Sequence, residues 1–174
     1  KNIKSFGWEM DGFIGTSSQK GGWHQNWGFY FVNYRLKPQL DLASKKGIIN
    51  FDYTKSLTSL INFLNQHNPE PSLVHGDLWS GNKSISNNGR GIIFDPASYW
   101  ADREVDIAMS RLFGGFSEKF YSGYNSIWKL SNSSAKRINI YNLYHILNHA
   151  NIFGGNYIQQ SISLLNKIIF EVNN

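Results

Sequence analysis

Two carboxylates and one amide lie within a short stretch of this sequence. Residues 75–82 read His-Gly-Asp-Leu-Trp-Ser-Gly-Asn, and residues 93–96 read Ile-Phe-Asp-Pro. Asn82 follows Asp77 by five positions, and Asp95 follows Asn82 by thirteen. Carboxylate and amide oxygens are hard ligands of the kind that Mg²⁺ takes together with water and phosphate oxygens. Phosphoryl transfer needs such a metal site and a further carboxylate that orients and deprotonates the attacking hydroxyl.

A short β-hairpin is predicted between two of these residues. Residues 84–94 carry apolar side chains on both arms and Asn88-Gly89 near the turn. Asn-Gly favours a tight hairpin because both residues tolerate positive φ. Since a hairpin folds back on itself, Asn82 before it and Asp95 after it should lie side by side and offer two oxygen ligands on a rigid support.

The elements before this segment are read from composition and periodicity. Residues 5–22 are rich in Gly, Ser and Thr and predict a loop. The aromatic positions of residues 23–34 have helical spacing, and we expect that helix to end at Pro38. A second helix is expected to begin after Asp52 as its N-cap and to stop at Asn68-Pro69.

The elements after the hairpin are predicted to be helical. Apolar stripes with helical spacing occur over residues 105–112 and 120–128, and two closing helices are predicted at 136–152 and 157–171. The fold class is therefore α+β, a mostly helical domain with one small hairpin that carries the metal site.

Composition limits the classes of partner. The chain has 174 residues, which predicts one domain, and its 41% hydrophobic and 17% charged residues exclude a disordered protein. The net charge of +5 suits an anionic ligand such as a nucleotide. The basic residues form no stripe and no recognised motif, so no nucleic-acid partner is predicted.

Cysteine usage and hydropathy restrict the chemistry and the compartment. The sequence has no Cys, which excludes disulfides, thiolate zinc sites and a cysteine nucleophile. It has no apolar run of 18 residues, so no membrane-spanning helix is predicted. We expect a cytoplasmic protein without a membrane partner.

A family resemblance arises from these motifs. The string at residues 75–82 resembles the catalytic loop of fructosamine (ketosamine) kinases, which belong to the aminoglycoside phosphotransferase-like group. Gly76 stands where protein kinases have Arg, and Asp95-Pro96-Ala97 stands where they have Asp-Phe-Gly. The likeness continues in order along nearly the whole chain, at residues 6–8, 13–15, 102–104, 106–109, 112–116, 141, 143–144, 149, 153–154 and 157.

The resemblance implies a fold, a reaction and a role for each site residue. Residues 1–174 would be the C-terminal catalytic lobe of a protein-kinase-like fold. The family uses ATP and Mg²⁺ to phosphorylate the 3-hydroxyl of a ketoamine sugar, so the expected partner is a small-molecule ketoamine or glycated amine. The implied roles are general base for Asp77, Mg²⁺ ligands for Asn82 and Asp95, a wall of the sugar site for Trp79, and bracing of the loop for His75 and Asp106.

Two departures from the family pattern qualify this expectation. The sequence contains neither G-x-G-x-x-G nor any Gly-Lys dipeptide, and Ala101 stands where the family usually has Gly. The family carries its glycine loop and phosphate-binding lysine in an N-terminal lobe, which would precede Lys1. We therefore expect the chain to be a fragment of a longer protein and not a competent kinase by itself.

Other interpretations remain open at this stage. The parent protein is alternatively a kinase for another amine-bearing alcohol, such as an aminoglycoside or choline, or a binding module without catalysis. His145 and His149 are four positions apart, but no Glu follows His145, so the metalloprotease motif fails and a core or surface pair is predicted. The C-terminal aromatic residues are candidates for lining the acceptor cleft.

Overall fold

A computed structural model of the protein describes residues 3–173, which form a mixed, mostly helical α+β fold. The strands are β1 Phe6–Trp8, β2 Gly12–Ile14, β3 Ser17–Gln19, β4 Gly22–His24, β5 Ser72–Val74, β6 Lys83–Ile85, β7 Gly91–Ile93 and β8 Tyr99–Ala101. The helices are α1 Trp27–Phe31, α2 Lys37–Lys45, α3 Thr54–His67, α4 Glu104–Leu112, α5 Glu118–Ile127, α6 Ser134–Phe153 and α7 Asn156–Asn173. Within the described residues, no helix combines the length and the apolar character needed to cross a bilayer.

The prediction of a loop over residues 5–22 is wrong, because this segment forms strands β1 to β3 and the start of β4. β1 pairs antiparallel with β4, and Gly7 lies opposite Trp23. Gly7 has φ +129°, and a Cβ placed on it would lie 1.8 Å from the carbonyl oxygen of Gly22. The glycines that predicted a loop are thus the residues that let two strands approach closely.

The prediction that Pro38 ends the first helix is also wrong. The helix begins at Trp27, where the Asn26 side chain accepts the N–H of Phe29 at 2.7 Å. It passes through a π-helical turn, Val32–Leu36, and continues as α2 to Lys45. Pro38 lies in the first turn of α2, at a break in the helical register, where its missing N–H is tolerated.

The second helix is close to the prediction. α3 begins at Thr54, whose N–H is accepted by the Asp52 carboxylate at 2.8 Å, although Tyr53 rather than Asp52 occupies the N-cap position. Asn68 ends the helix in the left-handed conformation with φ 45°. The four predicted helices after the hairpin are confirmed as α4 to α7.

A four-stranded antiparallel sheet with the order β4-β1-β8-β5 supports the segment of interest. The predicted hairpin forms as β6 and β7, with Lys83 opposite Ile93 and Gly89 at φ 78° in the turn. β8 was not predicted, and it pairs with β5 so that Val74 lies opposite Tyr99. This pairing matters for the site because residue 75 follows β5 directly and α4 begins shortly after β8.

Helix α6 lies at the centre of the helical part and packs against α2, α4 and α7. Its apolar residues join those of α1, α3 and the sheet in one core. The core is rich in aromatic rings, and Trp27, Tyr30, Tyr99, Tyr141 and Tyr144 are among its largest buried side chains. Part of the high aromatic content of the sequence is therefore used to build this core.

Candidate active site

The loop after β5 is a tight turn whose shape depends on one glycine. Gly76 has φ +81°, and a Cβ at this position would lie 2.1 Å from the carbonyl oxygen of Ala97. Ala97 also donates its N–H to the carbonyl oxygen of His75 at 2.9 Å. The residues after the hairpin therefore lie directly against the loop, and any side chain at position 76 would separate them.

Two side chains connect this loop to the surrounding elements. The Asp106 carboxylate accepts the backbone N–H groups of His75 at 2.7 Å and of Gly76 at 2.9 Å. The His75 ring donates from Nε2 to the carbonyl oxygen of Phe94 at 3.0 Å, and its Nδ1 accepts the N–H of Asp77 at 3.3 Å. Burial raises the pKa of Asp106, and the two N–H donors oppose that rise.

The carboxylate of Asp77 is held by Asn82. The Asn82 amide nitrogen donates to the Asp77 carbonyl oxygen at 2.9 Å and to Asp77 Oδ2 at 3.2 Å. Burial raises the pKa of Asp77, the Asn82 bond and the charges of His75 and His149 lower it, and the negative charge of Asp95 raises it further. Because the charge of Asp95 affects the pKa of Asp77, the two carboxylates lie close enough to interact electrostatically.

Asp95 adopts an unusual backbone conformation. Its φ of 56° places a residue with a side chain in the left-handed region, and its side chain is exposed to solvent. The neighbouring Phe94 donates its N–H to the carbonyl oxygen of Asn82 at 3.1 Å, so the two predicted ligands lie on adjacent backbone segments. Strained non-glycine residues of this kind concentrate at functional sites, where the surrounding structure enforces them.

The oxygens available here fit a hard divalent cation. Both hydrogen bonds of the Asn82 side chain use its amide nitrogen, which leaves the amide oxygen free to face a cation. The exposed carboxylate of Asp95 supplies a second oxygen, and water and phosphate would complete the sphere. The donor set contains no sulfur or imidazole and is therefore of the type that Mg²⁺ prefers.

Trp79 lies at the mouth of the loop and is 37% exposed. A Cβ on Gly81 would lie 2.3 Å from the Trp79 indole, so the ring rests directly on the Gly81 backbone. The Trp79 ring also meets the Phe113 ring edge to face, with centroids 6.2 Å apart and planes at 83°. Ser80 adds a hydrogen bond from its hydroxyl to the Phe113 carbonyl oxygen at 2.9 Å.

The two histidines of α6 have different environments. His145 is buried, and neither of its ring nitrogens has a hydrogen-bond partner among residues 3–173. Burial, aided by the charge of His149, lowers the pKa of His145 to about 3. His149 is half-buried and donates from Nδ1 to the carbonyl oxygen of His145 at 2.8 Å. His145 is thus a core residue as predicted, whereas His149 lies near the candidate site and influences Asp77.

A second cluster of acidic residues lies at the far end of α3. Within residues 3–173, the single group of three acidic or histidine side chains close enough to share a metal ion is His67, Asp102 and Glu104. Arg137 binds both oxygens of Glu104, at 2.7 and 2.8 Å, and Tyr141 donates to Asp102 at 2.7 Å. Every carboxylate oxygen of Asp102 and Glu104 therefore already accepts a hydrogen bond from within the protein.

Sequence reasoning missed two features of this region. One is the buried ion pair of Glu104 with Arg137, which lies 33 positions away. His149 was not connected with the loop at residues 75–82. No local pattern reveals either contact, because both join segments that are distant in the sequence.

Comparison with known proteins identifies the relatives of this chain. The profile of the fructosamine kinase family matches residues 1–171. A probable ketoamine kinase of Vibrio parahaemolyticus is 47% identical over 166 residues, 95% of this chain and 57% of that protein. A probable ketoamine kinase of Synechocystis is 44% identical over 164 residues, 94% of this chain and 56% of that protein.

Solved structures agree with this relationship. A crystal structure of a provisionally named fructosamine-3-kinase from Haemophilus somnus has a TM-score of 0.88 and 33% identity to this chain. The matched region covers 95% of this chain and 57% of the Haemophilus chain. A second such structure, from Thermobifida fusca, has a TM-score of 0.82 and 25% identity over 98% of this chain and 60% of that one. This chain thus spans little more than half the length of these relatives, and it belongs to the fructosamine kinase family.

Proposed function

We propose that the protein to which this chain belongs is an ATP-dependent kinase that phosphorylates the 3-hydroxyl of a ketoamine sugar. The observation that carries the proposal is the arrangement of Asp77, Asn82 and Asp95 on one braced loop and the hairpin that follows it. Family membership and the names of the relatives support a ketoamine as acceptor. The chain itself is proposed to be the C-terminal catalytic lobe.

The proposed chemistry assigns the proton transfer to Asp77. Its carboxylate orients the sugar hydroxyl and accepts the proton as the hydroxyl oxygen attacks the terminal phosphorus of ATP. The bond from that phosphorus to the bridging oxygen breaks, and ADP leaves with the electron pair. The hydrogen bond from Asn82 fixes the direction of the Asp77 carboxylate, and Asp106 and His75 fix the loop that carries it.

The cofactors follow from the same residues. Asn82 and Asp95 would hold Mg²⁺, which neutralises phosphate charge when bound. Ile85 and Ile93 of the hairpin are 75% and 57% exposed. This exposed apolar surface supports the proposal that a nucleotide or a further lobe covers this face of the hairpin. We propose that the glycine loop and phosphate-binding lysine lie in residues outside this chain, as the greater length of the relatives supports.

The test is a substrate panel with the full-length protein. Labelled ATP and Mg²⁺ are supplied with a 1-deoxyfructosyl amine, an aminoglycoside and choline, and the phosphorylated carbon is located by NMR. We expect transfer to the 3-hydroxyl of the ketoamine and little transfer to the other two. Transfer to the aminoglycoside or choline alone, or no transfer to any acceptor, would overturn the proposal.

A further inference from the structure

A continuous line of aromatic rings leads away from the candidate base. Trp79 meets Phe113 at 6.2 Å between centroids, and Phe113 meets His149 at 4.8 Å and Tyr157 at 6.3 Å. Phe153 completes the line, 5.6 Å from His149 and 6.5 Å from Tyr157. We call these five side chains the aromatic wall. It begins two positions after Asp77 in the sequence and ends at the turn between α6 and α7.

The far end of the aromatic wall borders an open cavity. The cavity has a volume of about 480 Å³ and lies between the end of α4 and the α6–α7 turn. Its size falls within the range of roughly 300–1,000 Å³ that is usual for small-molecule sites. Phe113, Phe153, Tyr157 and Gln160 contribute to the lining, and none of the described residues that line it carries a charge.

Phe153 presents an exposed apolar surface at the rim of this cavity. Its ring is 68% exposed at the end of α6, beside the turn formed by Gly154 and Gly155. An aromatic side chain at the rim of a cavity gains free energy when a ligand removes it from water. Because Trp79 and Phe113 join this rim to the loop that holds Asp77, one elongated ligand can contact both.

We propose that this cavity binds the amine substituent of the ketoamine and selects an apolar, uncharged substituent over one that bears a carboxylate. This inference rests on the proposed function, since the sugar hydroxyl must reach Asp77 and the amine lies at the other end of the reacting unit. None of the described side chains that line the cavity is cationic, so a carboxylate placed in it would be partly desolvated without a counter-charge from the lining, which is unfavourable. An apolar or aromatic group would pack against the aromatic wall.

The test compares ketoamines that share the 1-deoxyfructosyl group and differ only in the amine. The full-length protein is assayed with the adducts of benzylamine, methylamine and glycine. We expect kcat/KM for the benzylamine adduct to exceed that for the glycine adduct by about tenfold or more, the usual scale for filling an apolar pocket. The methylamine adduct should lie between them.

Two variants and one control locate the effect. Phe153→Ser should lower the benzylamine-to-glycine ratio of kcat/KM several-fold, because it removes an apolar surface at the rim. Gln160→Lys should raise relative use of the glycine adduct, because it supplies a counter-charge for the carboxylate. Ile127→Ser removes an apolar side chain of 90% exposure at the end of α5, away from the cavity, and should leave the ratio unchanged.

The outcomes separate this inference from the proposed function. If all three ketoamines are phosphorylated with a ratio near one, or if Phe153→Ser leaves the ratio unaltered, the cavity does not bind the amine and the inference is overturned while the kinase proposal stands. If none is phosphorylated, the kinase proposal itself fails and this inference fails with it. Because a ratio is measured, a general loss of folding does not imitate the expected result.

Discussion

Two groups of carboxylates, Asp77 with Asp95 and Asp102 with Glu104, differ in what surrounds them. Asp77 lies on the tight loop after β5, and Asp95 follows the hairpin. Asp95 is exposed, and no arginine or lysine of the described residues binds either carboxylate. Asp102 and Glu104 are each only 1% exposed, and Arg137 and Tyr141 bind their oxygens. The first group has unused oxygens, whereas the second has its partners built in.

The difference shows that closeness of acidic groups does not by itself mark an active site. His67, Asp102 and Glu104 satisfy a geometric search for metal ligands. The bidentate contact with Arg137 nevertheless supplies the positive charge that a metal would provide. In the loop group, by contrast, no arginine or lysine of the described residues binds either carboxylate, and Asp95 has a left-handed backbone of the kind that concentrates at functional sites. The predictions below test this contrast.

The largest expected effect is on turnover. Asp77→Ala in the full-length protein should lower kcat by at least about 10²-fold, the lower range for loss of a general base. The measurement is initial velocity with a ketoamine and saturating ATP. Near-normal turnover would remove Asp77 from the proposed role, and Asp77→Asn serves as the isosteric control, with a similar loss expected.

The same variants should not weaken folding at neutral pH. Since burial raises the pKa of Asp77, the protonated carboxyl favours the folded state, and that contribution is present at low pH and lost as the pH rises through the folded-state pKa. The ionised side chain therefore costs stability at pH 7. Asp77→Asn should show an unchanged or higher urea midpoint, and a clear decrease would indicate a structural role.

The second cluster should behave in the opposite way. Glu104→Ala leaves Arg137 as a buried charge without its main partner, and we expect a loss of about 3–5 kcal/mol in the free energy of unfolding. Urea denaturation measures it. Lys167→Ala is the control, because it breaks a more exposed pair with Glu171 whose atoms are 3.9 Å apart, and about 0.5 kcal/mol or less is expected. Equal losses in both variants would contradict the contrast.

The metal requirement is expected to change in the loop group alone. Asn82→Ala and Asp95→Ala should each raise the Mg²⁺ concentration for half-maximal activity by roughly tenfold or more, since even outer-shell partners have effects of this size. His67→Ala should leave the Mg²⁺ titration unaltered. A shift with His67→Ala but not with Asn82→Ala would exchange the roles of the two clusters.

The smallest expected effect is on the pH profile. Asp77 must be ionised to accept a proton. Its raised pKa should therefore place the midpoint of the acidic limb of the kcat/KM pH profile above 3.8, the pKa of an ordinary aspartate. Loss of the Asn82 hydrogen bond, which lowers this pKa, should move the limb to still higher pH. A limb at or below the ordinary value would show that burial does not control Asp77.

Local sequence was sufficient for the elements that local forces determine. The helical spacing of apolar residues predicted α4 to α7, and Asn88-Gly89 predicted the turn between β6 and β7. The positions of Asp77, Asn82 and Asp95 in one short segment already indicated phosphoryl transfer. The adjacent placement of the backbone segments that carry Asn82 and Asp95 followed from the reversal of the chain in a hairpin, which is a short-range property.

Tertiary structure decided the rest, because the contacts involved join residues that no local pattern connects. Glycines in residues 5–22 predicted a loop, but close approach of β1 to β4 and pairing with β8 turned this segment into sheet. The pairing of Glu104 with Arg137 and the approach of His149 to Asp77 likewise depend on how α4 and α6 pack. The sequence by itself determined which groups are the candidates for the chemistry, whereas packing determined which carboxylates already have hydrogen-bond donors within the protein and which remain available.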